Sequence, residues 1–119
     1  MLNIVIIDDD EVSTFVTEQY IRRSLSVPFK IHKFSSAVGA SQQITNLNPN
    51  YLFLDLMMPQ MTGWDFLEEV KGAGLTSEVY ILSGSLDISD VEKASNNRMV
   101  KKFLPKLSIK ESILDIFRN

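Results

Sequence analysis

The 119-residue sequence predicts an α/β domain, a doubly wound five-stranded parallel sheet held between two layers of helices. Two observations predict it. Five strand-length runs rich in β-branched and aromatic residues alternate with segments of helical spacing, the pattern of parallel strands joined by right-handed crossovers. Length and a 45% apolar content suit one core, since roughly 100–150 residues make a domain. Residues 1–119 are therefore read as a single domain with no output domain attached.

The elements follow in order. NIVII (3–7) is the first strand, and Val12, Phe15, Val16 and Tyr20 form the apolar stripe of a helix after it. FKIHKF (29–34) sets Phe29, Ile31 and Lys33 against Lys30, His32 and Phe34, an alternation that suits a strand near the sheet edge. The segment 36–47 fits a helix, weakened by Gly39. YLFLDL (51–56) is the third strand. Pro59 and Gly63 punctuate the loop before a helix starting at Trp64, with Phe66, Leu67 and Val70 on its apolar side. EVYILS (78–83) and MVKKFL (99–104) are the last two strands, separated by a less regular helical segment, 86–97. Ile109, Ile113, Ile116 and Phe117, at i, i+4, i+7 and i+8, make the closing helix.

Composition excludes several functions. The chain has no cysteine, so disulfides and thiolate metal sites are ruled out. The opening MLNIVIIDDDE meets acid too early for a signal peptide or a membrane span, which suggests a cytoplasmic protein without membrane contact. The net charge is -3 and the basic residues are scattered apart from Arg22–Arg23 and Lys101–Lys102, so direct nucleic-acid binding is disfavoured.

In parallel α/β sheets, function collects at the carboxyl ends of the strands. Here the first strand ends in Asp8, Asp9, Asp10 and Glu11, the third near Asp55, the fourth in Ser83–Gly84, and the fifth runs Phe103-Leu104-Pro105-Lys106. Asp10 suits a cap on the first helix. A cap needs only one carboxylate, however, and gathering several costs roughly 3 kcal/mol for each pair about 5 Å apart at an effective dielectric of about 20. That cost calls for a cation. Magnesium takes one or two carboxylates, waters and phosphate oxygens, and Asp9 and Asp55 could supply the carboxylates. A transferring phosphoryl group needs positioned cations and donors, which Lys106 and the Ser83 hydroxyl offer. Asp55, a charge in a strand where Asp is depleted, is the candidate nucleophile.

With these residues in place the chain resembles a response-regulator receiver domain of two-component signalling along its whole length, from IVIIDDDE to ILDIF. The most specific stretch is LDLMMPQMTGWDFL, close to that family's D-hydrophobic-x-M-P-x-M-x-G run. The resemblance implies a flavodoxin-like sandwich with strand order 2-1-3-4-5. It implies that Asp55 is the phosphoacceptor, that Asp9 binds Mg2+ (or Mn2+) directly, that Asp8 holds a coordinating water, and that the backbone carbonyl of Met57 completes the metal site. Ser83 and Phe103 match the switch pair, and Lys106 the lysine that holds phosphate. The implied donor is a phosphohistidine of a sensor histidine kinase or histidine-containing phosphotransfer protein. The implied readout is a downstream protein target on the fourth helix, fifth strand and fifth helix, roughly residues 86–117, with the chain a monomer or a weak phosphorylation-dependent dimer. Such a domain is no enzyme beyond assisting its own phosphotransfer and autodephosphorylation.

Two departures stand out. The family usually has Lys-Pro with a cis bond where this chain has Lys106-Leu107; cis before a non-proline costs about 2.5–4 kcal/mol, so a trans or strained bond is expected. Thr62 replaces the acid often found before the loop glycine. Two other readings stay open. DDDEV also fits D-x-D-x-V and resembles the first motif of haloacid-dehalogenase-type phosphatases, with Asp8 as nucleophile and Asp10 as general acid, although Asp55 would then be unexplained. The other is a pseudo-receiver, a binding module that is never phosphorylated.

Overall fold

The computed structural model describes residues 1–118. Five parallel strands, β1 (Leu2–Ile7), β2 (Phe29–Phe34), β3 (Tyr51–Asp55), β4 (Glu78–Ser83) and β5 (Val100–Pro105), form one sheet in the order β2-β1-β3-β4-β5. The order is the one implied by the resemblance. FKIHKF is an edge strand, as its alternation suggests, and the fully buried Ile4–Ile7 lies centrally between β2 and β3.

Alternate side chains point to opposite faces, so the sheet carries two cores. Val5, Ile7, Leu52, Leu54, Val79 and Ile81 pack beneath α2 (Ala37–Ser41), α3 (Ile44–Leu47) and α4 (Gly63–Val70), through Ala40, Ile44, Phe66 and Leu67. Ile4, Ile6, Phe53, Tyr80, Leu82 and Leu104 pack beneath α1 (Glu11–Ser24) and α6 (Ile109–Phe117), through Ile21, Ile113 and Phe117. The remaining helix, α5 (Ile88–Asn96), rests on β5.

Three expectations need correction. The helix expected over 36–47 is two short helices, α2 and α3, separated at Gln42–Gln43; no side chain caps the second, and Asn48 ends it in the left-handed conformation at φ 34°. The fourth and fifth helices of the sequence reading are consequently α5 and α6. In α1, Val12 and Phe15 are exposed, and the face turned inward is Thr17, Glu18 and Ile21, with Val16 and Tyr20 at its margin. Glu18 tolerates this position because Lys33 of β2 and Arg22 hold its two oxygens at 3.0 and 2.7 Å. Finally, the helix expected from Trp64 begins one residue earlier, at Gly63.

Candidate functional site

Each strand that carries a candidate residue delivers it at its carboxyl end. Asp8 follows β1, Asp55 closes β3, Ser83 closes β4 and Lys106 follows β5. Because neighbouring strands pair in parallel, these ends lie side by side: Ile7 stands opposite Leu54, Asp55 opposite Leu82, and Ser83 opposite Pro105.

One carboxylate oxygen each from Asp8, Asp9 and Asp55 lies within 4.8 Å of the others. Asp8 and Asp55 are buried and Asp9 is exposed, so the cluster opens to solvent on one side. Lys106 reaches in from β5, its Nζ 3.0 Å from Asp8 Oδ2 and 3.5 Å from Asp55 Oδ1. One ammonium pairs with two of the three carboxylates. Burial, then the neighbouring Asp8 charge, pushes Asp55 up to about 6, against the pull of Lys106. Burial works against the Lys106 charge, but its pairing with Asp8 and the charge of Asp55 outweigh that and raise it.

Asp10 stands apart from the cluster. Its side chain caps α1 by accepting from the Val12 and Ser13 N–H groups, while its own N–H donates to Asp8 Oδ1 at 2.9 Å. The cap anticipated from sequence is thus present, and it fixes the Asp8 carboxylate indirectly. Asp10 thus serves as a helix cap and lies outside the Asp8–Asp9–Asp55 group.

The loop after Asp55 is pinned at both ends. Met58 is buried in the core beneath α2 and α4, whereas the Met57 side chain is 71% exposed. Gln60 turns the chain at φ 70°, and Thr62 starts α4 with a reciprocal capping box: Thr62 Oγ1 accepts from the Asp65 N–H, and Asp65 accepts from the Thr62 N–H. Thr62 therefore does the work of an N-cap where an acid was expected. The Gly63 N–H donates to the Leu56 carbonyl at 3.0 Å, closing the loop onto β3.

Ser83 is buried, and its hydroxyl is engaged within its own loop: Oγ donates to the Ser85 carbonyl at 2.9 Å and accepts from the Ser85 N–H at 3.1 Å. Phe103 is half-buried against the core under α2 and α4. The Lys106–Leu107 bond is trans, and Lys106 opens a 3-10 turn, Lys106–Ser108, that runs straight into α6. Leu107 is almost fully exposed beside the site.

The residues present fit a divalent ion. The donors are hard carboxylate oxygens, and Asp8 Oδ2, fully buried, has no hydrogen bond of proper geometry although Lys106 stands beside it. A buried carboxylate whose outer oxygen has only an ammonium beside it, clustered with two further carboxylates, is what a divalent cation would satisfy.

The model of the response regulator receiver domain matches residues 4–118. The chain belongs to that family. Among curated relatives, the hydrogenase transcriptional regulatory protein HoxA of Cupriavidus necator is 25% identical over 96% of this chain and 23% of its own length. The response regulator MprA of Mycobacterium tuberculosis is 26% identical over 95% of this chain and 47% of its own. The chain thus spans less than half the length of these relatives. Among solved structures, a LuxR-family DNA-binding response regulator from Staphylococcus aureus superposes with a TM-score of 0.83 at 28% identity, covering 98% of this chain and 96% of that one. A two-component response regulator from Cytophaga hutchinsonii superposes with a TM-score of 0.78 at 25% identity, covering 95% and 96%. The receiver therefore takes its place in two-component signalling with an acidic pocket of Asp8, Asp9 and Asp55.

Sequence reasoning missed two features of this receiver. The inward-facing Glu18 was hidden by the apolar Val12 and Phe15 on the same helix. The second is a hydrogen bond from Trp64 Nε1–H to Asp90 Oδ1, 3.0 Å long, between α4 and α5. Its partners are 26 residues apart, and no local pattern announces such a contact.

Proposed function

We propose that the receiver accepts a phosphoryl group on Asp55 from a phosphohistidine of a sensor histidine kinase or histidine-containing phosphotransfer protein. The observation that carries this reading is the convergence of Asp8, Asp9 and Asp55 into one cluster, with the partly buried Lys106 ammonium paired to Asp8 and Asp55. The Asp55 carboxylate oxygen forms the new P–O bond, the P–N bond of the donor breaks, and its electron pair returns to the imidazole. Asp8, Asp9, Asp55 and the Met57 carbonyl would hold Mg2+ or Mn2+, which when bound neutralises charge on the carboxylates and the phosphoryl oxygens. Lys106 then draws the Asp55 oxygen and the incoming phosphoryl oxygens together, and Ser83 donates its hydroxyl once it leaves Ser85.

The phosphoryl group draws Ser83 inward, and Phe103 repacks into the space released. Phe103 has no hydroxyl to tie it outward, so packing alone sets its two positions. The changed surface is α5, β5 and α6, read by a downstream protein target. Residues 1–119 act in this reading as one cytoplasmic receiver unit, monomeric or weakly dimeric when phosphorylated.

The test is incubation with acetyl phosphate and Mg2+. Acid-stable, hydroxylamine-labile label on the wild-type chain, lost in Asp55→Asn, is expected. Label that persists in Asp55→Asn rejects the assignment.

A further inference from the structure

Trp64 and Asp90 join the helices that flank the carboxyl ends of β3 and β4, and we propose that their hydrogen bond is a latch on α5 that opens when Asp55 is phosphorylated. The inference rests on the phosphoacceptor reading and adds a regulatory contact to it.

The helix α5 is weakly anchored. Ala94 is its one buried residue, while Ile88 within it and Leu86 just before it are exposed. It lies on β5, whereas α4 packs on α2, and a groove of about 790 Å³ runs between α4 and α5, with Leu67 and Met99 among its walls. Among the described residues the Trp64–Asp90 bond is the sole hydrogen bond spanning the two helices.

Its ends belong to different halves of the site. Trp64 follows Gly63, whose N–H is bonded to Leu56, so the indole is fixed to the acceptor loop. Asp90 lies in the first turn of α5, its N–H bonded to the carbonyl of the capping residue Asp87, and Asp87 connects through three residues to Ser83. A serine has one O–H to donate, and that of Ser83 goes to Ser85. To donate to a phosphoryl oxygen on Asp55, Ser83 must release the Ser85 carbonyl, which leaves the loop held to Ser83 by the Ser85 N–H alone. The loop 84–86 is then able to shift, carrying the start of α5 away from an indole that Gly63 holds still. The bond exists in the resting arrangement and is lost in the phosphorylated one. Linkage makes the coupling reciprocal: removing the latch must favour the phosphorylated state by the amount the latch opposes it.

Trp64 is the sole tryptophan, so one indole N–H resonance reports the bond in the full chain. With Mg2+, beryllofluoride is expected to move that resonance to the position it holds in Asp90→Ala. Trp64→Phe, which removes the donor without changing charge, is expected to bind beryllofluoride about threefold to tenfold tighter, the scale of one partly exposed hydrogen bond to a charged group. Asp90→Ala should tighten binding at least as much, with Asp55 labelling by acetyl phosphate intact in both. A stationary indole resonance in a fully labelled wild-type chain, or tighter binding in Asp90→Ala alone, overturns the latch and leaves the phosphoacceptor reading standing. A wild-type chain that neither labels nor binds overturns both.

Discussion

A methyl group on Gly63 would stand 2.6 Å from the carbonyl oxygen of Asp55 and 3.1 Å from the Leu56 α-carbon, both backbone atoms with little room to retreat. The absence of a side chain at 63 is what lets α4 begin directly against the strand that carries the acceptor. Gly63→Ala must push the helix off the strand end, and overpacking of this kind costs about 1–3 kcal/mol. A denaturant midpoint lowered to match, with slower labelling of Asp55 by acetyl phosphate, is the expected pair of results. Wild-type stability in Gly63→Ala would contradict this account of the loop.

Asp55 sets one pH dependence of stability. Its folded-state value of about 6 lies above the ordinary 3.8, so its favourable contribution is complete below about pH 4 and is lost as pH rises through about 6. The loss in metal-free protein is on the order of 2–3 kcal/mol. Glu18 works the other way. Burial raises it, but Lys33 and Arg22 more than reverse that and leave it lowered, so its contribution is present above its ordinary 4.5 and fades as pH falls through its folded value. Thermal melts of metal-free protein should therefore show maximal stability in mildly acid solution. In Asp55→Asn the decline between about pH 4 and 6 should disappear, and a profile unchanged from wild type would refute the assignment.

Magnesium and a proton compete for Asp55. Binding should weaken as pH falls below about 6, approaching tenfold per pH unit where one proton is displaced. Calorimetry in two buffers of different ionisation enthalpy should detect proton release on binding near pH 6. Affinity that stays level from pH 7 to 5 would mean that the Asp55 carboxylate does not meet the ion.

Among the described residues, Lys106 is the ammonium paired with Asp8 and Asp55 of the acidic cluster. Lys106→Met keeps the stem and removes the charge, and leaves Asp8 and Asp55 facing each other unrelieved. Removing a donor aimed at developing phosphoryl charge slows transfer on the order of a hundredfold. Labelling with acetyl phosphate should fall by that much, while Mg2+ restores much of the stability lost in the metal-free variant. Equal labelling rates would assign Lys106 to stability alone.

The strands were legible because burial on both faces leaves near-continuous apolar runs such as IVII and YLFL, which few other structures require. The positions of Asp8, Asp55, Ser83 and Lys106 followed from the strand ends, since parallel strands deliver their last residues to one edge. Strand order came from the family resemblance, as no local pattern distinguishes 2-1-3-4-5 from its alternatives. In α1 the periodicity misled: Val12 and Phe15 face solvent, and the inward Glu18 depends on Lys33, fifteen residues away. Burial separates Asp8 from its exposed neighbour Asp9, a difference carried by the backbone and invisible in the letters DDD.

The placement of β1 between β2 and β3 also governs how the chain matures. The earliest strand of this sheet in chain order is an inner one, and its wholly apolar Ile4–Ile7 has no partner on its second side until Tyr51–Asp55 has been made. During that interval one edge of the nascent segment stays open to the wrong partner, the kind of exposed strand edge that favours misassembly.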